Sequence, residues 1–349
     1  MKKIFILFVI TAGLFSSCKN WDWDFPYDGA TTGYFPYQYP VRTIVLGNYI
    51  YPNENDNNHM FIISAAVGGG YKNKNNVTFN FRIDESLCNN AFFSANNNIK
   101  ILPSDYYRLS DNKIVVSKGK ENGGVEVHLN DAFFNDPLAI RNTYVVPLRI
   151  TGVTGVDSLL QGNPSVGNAN PDCRIAGEWI TTPKDFTMFA VKFINPYHGQ
   201  YLHYGTCTVK NAAGNTEEEV TYRANNVEQN EVWKLSTSSR TEVTLTAGTF
   251  KSRSTFSGAF QLHLNFTTDD YLAQGGVNCT IEAVTGSPYT ITGTGRYAVN
   301  SEEFGQKERD AIYLNYTISD GVNTYTANDV LVFRDKGVVM ETYNPLIIY

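Results

Sequence analysis

Short strand-like segments separated by turn residues recur through most of the sequence, and they constrain the fold more than any other feature. In the first half these segments are rich in β-branched and aromatic residues. Glycine and asparagine runs such as 68–70 and 73–76 separate them and favour turns. The predicted strands are Val41–Leu46, Met60–Val67, Val77–Ile83, Lys113–Val116, Val125–Leu129, Tyr144–Ile150 and Phe186–Ile194. About seven short strands at this spacing predict an all-β chain with an immunoglobulin-like β-sandwich over residues 36–195.

The second half carries a longer series of predicted strands, most of them joined by short connections. In Phe260–Phe266, apolar residues alternate with polar ones, which predicts one buried and one solvated face. The series is Gln200–Val209, Glu218–Ala224, Val232–Thr237, Glu242–Ala247, Gly258–Phe266, Val277–Ala283, Thr290–Ala298, Ala311–Ile318, Asn323–Phe333 and Val338–Glu341. Such a meander predicts a C-terminal antiparallel β-barrel over residues 196–349, because closure removes exposed strand edges. A second sandwich is the alternative.

The boundary between the two predicted domains is placed at Asn195-Pro196. Before it, residues 155–182 are rich in Gly, Asn and Pro and show no regular pattern. This stretch is typical either of a long loop over the first domain or of an interdomain linker.

The N-terminus has the layout of a bacterial lipoprotein signal. Lys2 and Lys3 precede an apolar run that is shorter than the ~20 residues needed to span a bilayer, and Ser16-Ser17 stand before Cys18. These residues resemble a lipobox, which implies a signal peptide over 1–17, lipidation of Cys18 and a tether over 18–35. An ordinary cleaved signal with a chance cysteine is the alternative. Several acyl chains would hold the protein on a membrane almost permanently.

The residues after Cys18 bear on the location of the protein. Lys19-Asn20-Trp21-Asp22-Trp23-Asp24 resembles the acidic tag that sends some Gram-negative lipoproteins to the cell surface. The resemblance implies that the protein is lipid-anchored in the outer membrane, on its cell-surface face. The periplasmic face is the alternative.

Composition and charge exclude one large class of partner. Charged residues are only 18% of the chain, and the formal net charge of -6 becomes -8 when Lys2 and Lys3 leave with the signal. Phosphate binding requires clustered Lys and Arg, so nucleic acid is not an expected partner.

Four cysteines remain once Cys18 is lipidated. An exported chain can keep disulfides, and bridges within each domain would pair Cys88 with Cys173 and Cys207 with Cys279. Four free thiols that pack as small hydrophobic side chains are the alternative.

Several aromatic motifs carry a family resemblance over nearly the whole mature chain. They are Trp21–Pro26, Tyr34–Pro40, Gly68–Asn73, Leu102–Tyr107 and Asn195–Tyr201. Together they resemble two-domain surface lipoproteins of gut anaerobes, described as cell-adhesion or glycan-binding proteins and encoded in polysaccharide-utilisation loci. The resemblance implies an N-terminal β-sandwich of unknown function and a lipocalin-like barrel. It transfers no catalytic or binding residue.

Motifs of known catalytic chemistry are missing from the sequence. The five histidines form no H-E-x-x-H, and there is no G-x-S-x-G, P-loop or G-x-G-x-x-G. We therefore predict no catalytic residues, no metal and no cofactor. A glycosidase would need two opposed carboxylates, for which Asp84-Glu85, Glu217–Glu219 and Asp269-Asp270 are formal candidates. Residues 53–58, Asn-Glu-Asn-Asp-Asn-Asn, are dense in oxygen donors that suit Ca²⁺, but they also favour turns.

Sugar binding is the chemistry that this composition serves best. Aromatic rings stack on the apolar faces of sugars, while Asn, Asp and Gln bond the hydroxyls. The predicted stacking residues are Trp179, Trp233, Tyr201 and Tyr204, with packing in the core as the alternative for each. The leading hypothesis is a non-catalytic surface lipoprotein that binds an oligosaccharide or polysaccharide beside an outer-membrane importer complex. The alternatives are a protein-binding adhesion or assembly subunit and a glycosidase with an unrecognised site.

Overall fold

The computed structural model describes residues 29–70, 72–165, 167, 170–249 and 259–349, so the predicted signal peptide, Cys18 and most of the tether lie outside the described residues. The described chain is almost entirely β, which confirms the predicted class. The strands of the N-terminal domain are β1 (Thr32–Tyr34), β2 (Pro40–Val45), β3 (Met60–Gly68), β4 (Val77–Ile83), β5 (Ala91–Ser94), β6 (Asn97–Asn98), β7 (Lys100–Ile101), β8 (Tyr107–Leu109), β9 (Lys113–Val116), β10 (Asn122–Leu129), β11 (Tyr144–Thr154), β12 (Ser158–Leu159), β13 (Asn163–Pro164), β14 (Trp179–Thr181) and β15 (Phe186–Ile194).

The barrel and the C-terminal segment supply the remaining strands. These are β16 (Gly199–Lys210), β17 (Thr216–Tyr222), β18 (Glu231–Thr237), β19 (Glu242–Gly248), β20 (Phe260–Phe266), β21 (Val277–Ala283), β22 (Thr290–Phe304), β23 (Lys307–Ser319), β24 (Thr324–Asp335), β25 (Glu341–Thr342) and β26 (Leu346–Ile347). The described helices are short: α1 (Glu54–Asn57), α2 (Asp131–Asn135) and 3-10 turns at Glu85–Cys88, Ala176–Glu178 and Val227–Gln229.

Two sheets enclose the core of the N-terminal domain. One has the order β12-β1-β3-β10-β8, and the other has the order β25-β2-β15-β11-β4-β9. Strand β3 shows why the sequence folds this way, since Phe61, Ile63 and Ala65 are buried in the common core while Ile62 on the other face is exposed. The alternation therefore gives β3 one face for the core and one for solvent.

The barrel closes because β16 pairs with both of its neighbours. Its first half pairs with β18, its second half with β17, and its whole length with β24. Eight strands form the closed barrel, as predicted, and β17 is an appended hairpin strand. Gly205 allows the closure, because a Cβ there would lie 2.3 Å from both Asn328 O and Asp329 Oδ1.

Aromatic and aliphatic side chains fill the barrel interior. In β20, Phe260, Leu262, Leu264 and Phe266 are all buried in one cluster, which confirms the alternation predicted for this strand.

The chain returns to the N-terminal domain after the barrel. Strand β25 pairs antiparallel with β2, and β26 pairs with β5. The prediction that Val338–Glu341 is a barrel strand is therefore wrong, because β24 already closes the barrel against β16. Lys192 on β15 fixes the returning segment by donating to both carboxylate oxygens of Glu341, at 2.9 and 2.8 Å.

Polar contacts join the two domains. Arg240 of the barrel domain binds Asp131 of α2, in the N-terminal domain, at 2.9 Å. It also binds Asp269, which belongs to the barrel domain itself, at 2.6 Å. At the same junction, but within the C-terminal domain, the buried Lys336 ammonium donates to the carbonyl of Pro196, and burial lowers the pKa of Lys336 to about 7.

The irregular stretch belongs to the first domain. Strand β12 pairs in parallel with β1, and β13 pairs with β14. Of the two alternatives, the structure therefore has the loop over the first domain.

The four described cysteines are all free thiols, and Cys207 and Cys279 are buried. The part of the chain that the structure describes contains no helix with the length and apolar character needed to cross a membrane.

Candidate functional site

Three of the four predicted stacking residues are core residues. Trp233 is 1% exposed inside the barrel, where its ring stacks on His203 with centroids 3.5 Å apart. Tyr201 is 0% exposed, and its hydroxyl donates to Tyr197 O at 2.8 Å. Tyr204 lies outside the barrel interior, but it is only 6% exposed and is covered by the Arg223 guanidinium 4.4 Å from its ring centroid. No ring face of these three is open to a sugar, so the structure corrects their predicted stacking role.

Trp179 lies apart from the other three, in β14. Its side chain is half-buried, and Nε1 donates to Asp172 O at 2.8 Å. The hydrogen bond fixes the ring against the loop over the first domain. Sugar stacking by Trp179 stays a prediction.

A groove of about 800 Å³ opens in the N-terminal domain, at a place that the sequence did not predict. Its lining comes from β2, β3, β10, β15, the segment 49–56 and the returning segment 338–341, together with Pro36 and Tyr37. We call it the tyrosine groove. Its volume is within the range of ~300–1,000 Å³ that is typical of small-ligand sites.

Three tyrosines give the groove its aromatic character. Tyr37 is 53% exposed and Tyr51 is 62% exposed, and Tyr49 packs edge-on against Tyr51 with ring centroids 5.4 Å apart. Tyr51 therefore has its ring supported by a neighbour while most of its surface faces solvent. An exposed, supported ring is the arrangement that stacks on an apolar ligand face at low entropic cost.

An ion pair forms part of the groove lining. Arg42 of β2 binds Asp56 of α1, and the other oxygen of this carboxylate accepts the backbone N–H of Val45 at 2.9 Å. Burial raises the pKa of Asp56, although the Val45 N–H and Arg42 act in the opposite direction. Asn53 donates to Val45 O and Gly47 O, at 2.8 and 2.9 Å. The side chains of Asn53 and Asp56 thus hold α1 against the end of β2 and the turn after it.

A buried hydroxyl without a partner also lines the groove. Thr187 of β15 is 1% exposed, and its Oγ1 makes no hydrogen bond within the described part of the chain. A buried polar atom without a partner costs about 1–3 kcal/mol, and such atoms commonly mark a ligand or water position.

The returning segment forms an apolar lip. Val339 and Met340 line the groove and are largely exposed, while Glu341 is held by Lys192. The site therefore contains residues from both ends of the described chain.

A polar cluster also lies inside the barrel. His203 Nε2 is 3.1 Å from Asp329 Oδ2, and Tyr316 donates to the same carboxylate at 2.6 Å. Burial lowers the pKa of His203, but Asp329 and Glu231 raise it more, and the net direction is upward. His203, Asp329 and Tyr316 are each at most 3% exposed and contact one another inside the barrel.

Two of the formal carboxylate candidates, Asp84 and Asp269, form hydrogen bonds away from the groove. Asp84 binds Arg149 and Ser86, and Asp269 binds Arg240. Neither Asp84 nor Asp269 lines the tyrosine groove. Among the described residues, no group of three or more His, Cys, Asp or Glu side chains is placed to hold a metal ion.

Comparison with known proteins places the chain in a family. A crystal structure of a protein of unknown function from Bacteroides ovatus is 36% identical, with a TM-score of 0.81 over 92% of this chain and 100% of that one. The chain belongs to the same family as that protein. In the present chain, residues 196–337 match a family model described as a domain of unknown function (DUF5627). Residues 27–157 match a second model, described as an N-terminal domain.

Other solved structures are far less similar. An auxiliary nutrient binding protein from Bacteroides thetaiotaomicron is 13% identical, with a TM-score of 0.37 over 84% of this chain and 90% of that one. A second Bacteroides ovatus protein of unknown function is 11% identical, with a TM-score of 0.36 over 80% and 85%. Similarity at this level says nothing about the fold or the ligand of this family member. No curated protein matches the chain.

Sequence reasoning missed the tyrosine groove for an identifiable reason. Tyr37, Tyr49 and Tyr51 stand in the connections on either side of β2, not in strands. Binding residues are often found in the connections between strands. The segment Tyr49-Ile50-Tyr51-Pro52, between two predicted strands, was therefore the part of the sequence that could have indicated the groove. The sequence of the returning segment 338–341 did not indicate that it lines the groove, because the position of this segment depends on the closure of the barrel.

Proposed function

We propose that the protein is a non-catalytic lipoprotein of the outer-membrane surface that binds an oligosaccharide in the tyrosine groove, within a polysaccharide-utilisation system. The observation that carries the proposal is the groove itself, with exposed Tyr37 and Tyr51 beside a polar lining. Sugars present apolar C–H faces and many hydroxyls, and this groove offers a matching partner for each.

The charged groups of the groove support a binding role rather than hydrolysis. Its two lining carboxylates are Asp56, bound to Arg42, and Glu341, bound to Lys192. Glycoside hydrolysis needs one carboxyl group that is protonated and another that attacks or activates water. Both oxygens of each carboxylate are already bonded, those of Asp56 to Arg42 and the Val45 N–H and those of Glu341 to Lys192, so neither group is free for that chemistry.

The location rests on the sequence of the first 24 residues. The lipobox resemblance at Cys18 and the acidic residues after it support anchoring in the outer membrane at the cell surface. Mass spectrometry of the mature chain should find Cys18 carrying acyl chains, and protease treatment of whole cells should degrade the protein. An unmodified Cys18 would contradict the anchor.

Binding is tested by calorimetry of the mature protein in detergent against a panel of polysaccharides and oligosaccharides. A glycan that binds should lose about tenfold in affinity, or ~1.4 kcal/mol, in Tyr51→Ala, because the stacking ring is removed. Tyr349→Ala is the matched control, since this tyrosine is 83% exposed and does not line the groove. If no glycan of a broad panel binds the intact protein, the proposed function is wrong.

The apolar lip favours one rival function, a protein-binding adhesion or assembly subunit. Val339, Met340 and Tyr51 line the groove and give it exposed apolar surface. Such surface also suits a protein partner. Capture of one specific surface protein that is unaffected by added glycan, and is lost in Met340→Asp, would favour this rival.

A further inference from the structure

The charges in the tyrosine groove bear on the chemical class of its ligand. Three lining residues carry formal charge, namely Arg42, Asp56 and Glu341. Arg42 is neutralised by Asp56, and Glu341 is neutralised by Lys192 through two hydrogen bonds. No cation of the lining is left without an anionic partner.

An anionic sugar would therefore bind poorly here. Its carboxylate or sulfate would lose water and meet two carboxylates, Asp56 and Glu341, whose cations are already paired. Burying a charge without a compensating partner is costly.

The uncharged part of the lining is well suited to hydroxyl groups. Ser64, Asn122 and Thr187 line the groove, and the buried Thr187 Oγ1 has no hydrogen-bond partner among the residues that the structure describes. A hydroxyl both donates and accepts, so it fits the hydroxyls of a sugar without needing charge.

The placement of the tyrosines bears on ligand length. Tyr37 precedes β2 and the Tyr49–Tyr51 pair follows it. The six residues of β2 span roughly 17 Å, at ~3.3 Å per residue step. Aromatic contacts toward both ends of such a strand, in a groove of about 800 Å³, leave room for more than one sugar ring.

We infer that the tyrosine groove takes an uncharged oligosaccharide of at least two sugar units, rather than a uronic-acid-containing or sulfated glycan. This inference rests on the proposed function and narrows it to one chemical class. Arg42, Ser64, Asn122 and Thr187 bond hydroxyls, and Tyr37 and Tyr51 stack on ring faces.

The test compares matched probes by calorimetry on the mature protein. The neutral probes are gluco-, manno- and xylo-oligosaccharides, and the anionic probes are oligogalacturonates and chondroitin sulfate fragments. We expect a neutral probe to bind, at least tenfold more tightly as a longer oligosaccharide than as the monosaccharide. Its affinity should stay constant between ~0.05 and ~0.5 M salt, because no net charge is neutralised on binding.

Thr187→Val separates a ligand contact from a structural role. The hydroxyl has no partner in the free protein, so the variant should unfold at the same temperature as the wild type or a higher one. Its affinity for the neutral probe should fall about two- to tenfold, the effect of one hydrogen bond. Thr43→Val, at another buried threonine of the lining, is the comparison.

The possible failures are distinguishable. If anionic probes bind more tightly than neutral ones, and Tyr51→Ala abolishes that binding, the inference is overturned while the proposed function stands. Neutral binding that is unchanged in both Tyr51→Ala and Thr187→Val would also overturn it, because the ligand would then lie elsewhere. Absence of binding by both classes would overturn the proposed function itself.

Discussion

The two domains use their aromatic residues in opposite ways. The barrel turns Trp233, Tyr297, Tyr316 and Phe260 into its interior, where they form a filled core. The N-terminal domain also buries phenylalanines, but it leaves Tyr37 and Tyr51 on an open groove. The difference teaches that a chain with 22 Tyr and 21 Phe residues does not reveal its binding surface by aromatic content alone.

Closure explains the contrast. Every barrel strand has two neighbours, so one face of each must fill the interior. The sheet that contains β2 is open, and the short β25 lies at its edge. The groove lies beside this edge, where side chains from a connection and from the returning segment can face solvent.

The largest effect should come from the barrel interior. Trp233→Ala should cost about 3–5 kcal/mol in free energy of unfolding, because it leaves a large cavity in a filled core. Tyr51→Ala should change this free energy by less than ~0.5 kcal/mol, because the side chain is exposed. Urea unfolding measures both. If Trp233→Ala were as stable as Tyr51→Ala, the contrast between the domains would fail. Trp233→Phe provides a milder variant in case the alanine variant does not fold.

A smaller effect should appear on acidification, at the junction between the domains. Burial, with smaller contributions from Lys336, Lys234 and Lys192, lowers the pKa of His198 from 6.5 to about 3. The folded protein keeps this ring neutral, whereas the unfolded chain takes up a proton below pH 6.5. Stability from this residue is therefore complete above pH 6.5 and is lost as the pH falls toward 3.

Between pH 7 and pH 5, the free energy of unfolding should fall by about 2 kcal/mol, because it falls by ~1.4 kcal/mol for each pH unit below 6.5. His198→Asn should remove this part of the pH dependence, since Asn Oδ1 can still accept the Thr237 N–H that His198 Nδ1 accepts at 3.0 Å. His128→Asn is the control at a more exposed histidine. Equal pH slopes in all three proteins would show that His198 does not contribute.

The contact between the domains should matter less. Arg240→Ala removes the ion pairs to Asp131 and Asp269, which are partly exposed, so we expect a cost of about 0.5–1 kcal/mol. The loss should shrink at high salt, because salt screens exposed charges. Thermal unfolding at two salt concentrations measures it. A salt-independent loss would instead indicate that the packing of the Arg240 side chain is what matters.

The smallest effect on stability should come from the lip of the groove. Met340 is 75% exposed, so Met340→Ala should change the free energy of unfolding by less than ~0.5 kcal/mol. The same variant should weaken glycan binding two- to fivefold if the lip contacts the ligand. A stability loss above 1 kcal/mol would place Met340 in the core and would weaken the comparison between the domains.

Local patterns were enough to predict much of the fold. Strand β15 has the predicted bounds, and β3 and β20 differ from their predicted bounds by at most two residues. In β3 and β20 the apolar residues alternate because one face of the strand is buried, and this alternation is visible in the sequence. The fate of Val338–Glu341 could not be predicted in this way. Its residues suit a strand in either domain, and only the pairing of β16 with β24 excludes it from the barrel.

The predicted site residues show a second limit. Trp233 and Tyr201 stand in strands, and a strand residue has an even chance of facing inward until the register is known. The Thr187 hydroxyl could not be identified either, because its lack of a partner depends on contacts between distant segments. Tyr51, in a connection, was the kind of aromatic residue that the sequence could have singled out.

The returning C-terminal segment makes the barrel an insertion within the sandwich rather than a module appended to it. The polypeptide crosses between the two twice, near Pro196 and near Lys336, and then pairs through β25 and β26 with the domain that it left. A single proteolytic nick at either crossing would leave the two halves covalently joined. Their release from each other would require two cuts, so the barrel should remain with the N-terminal domain when limited proteolysis cuts one crossing.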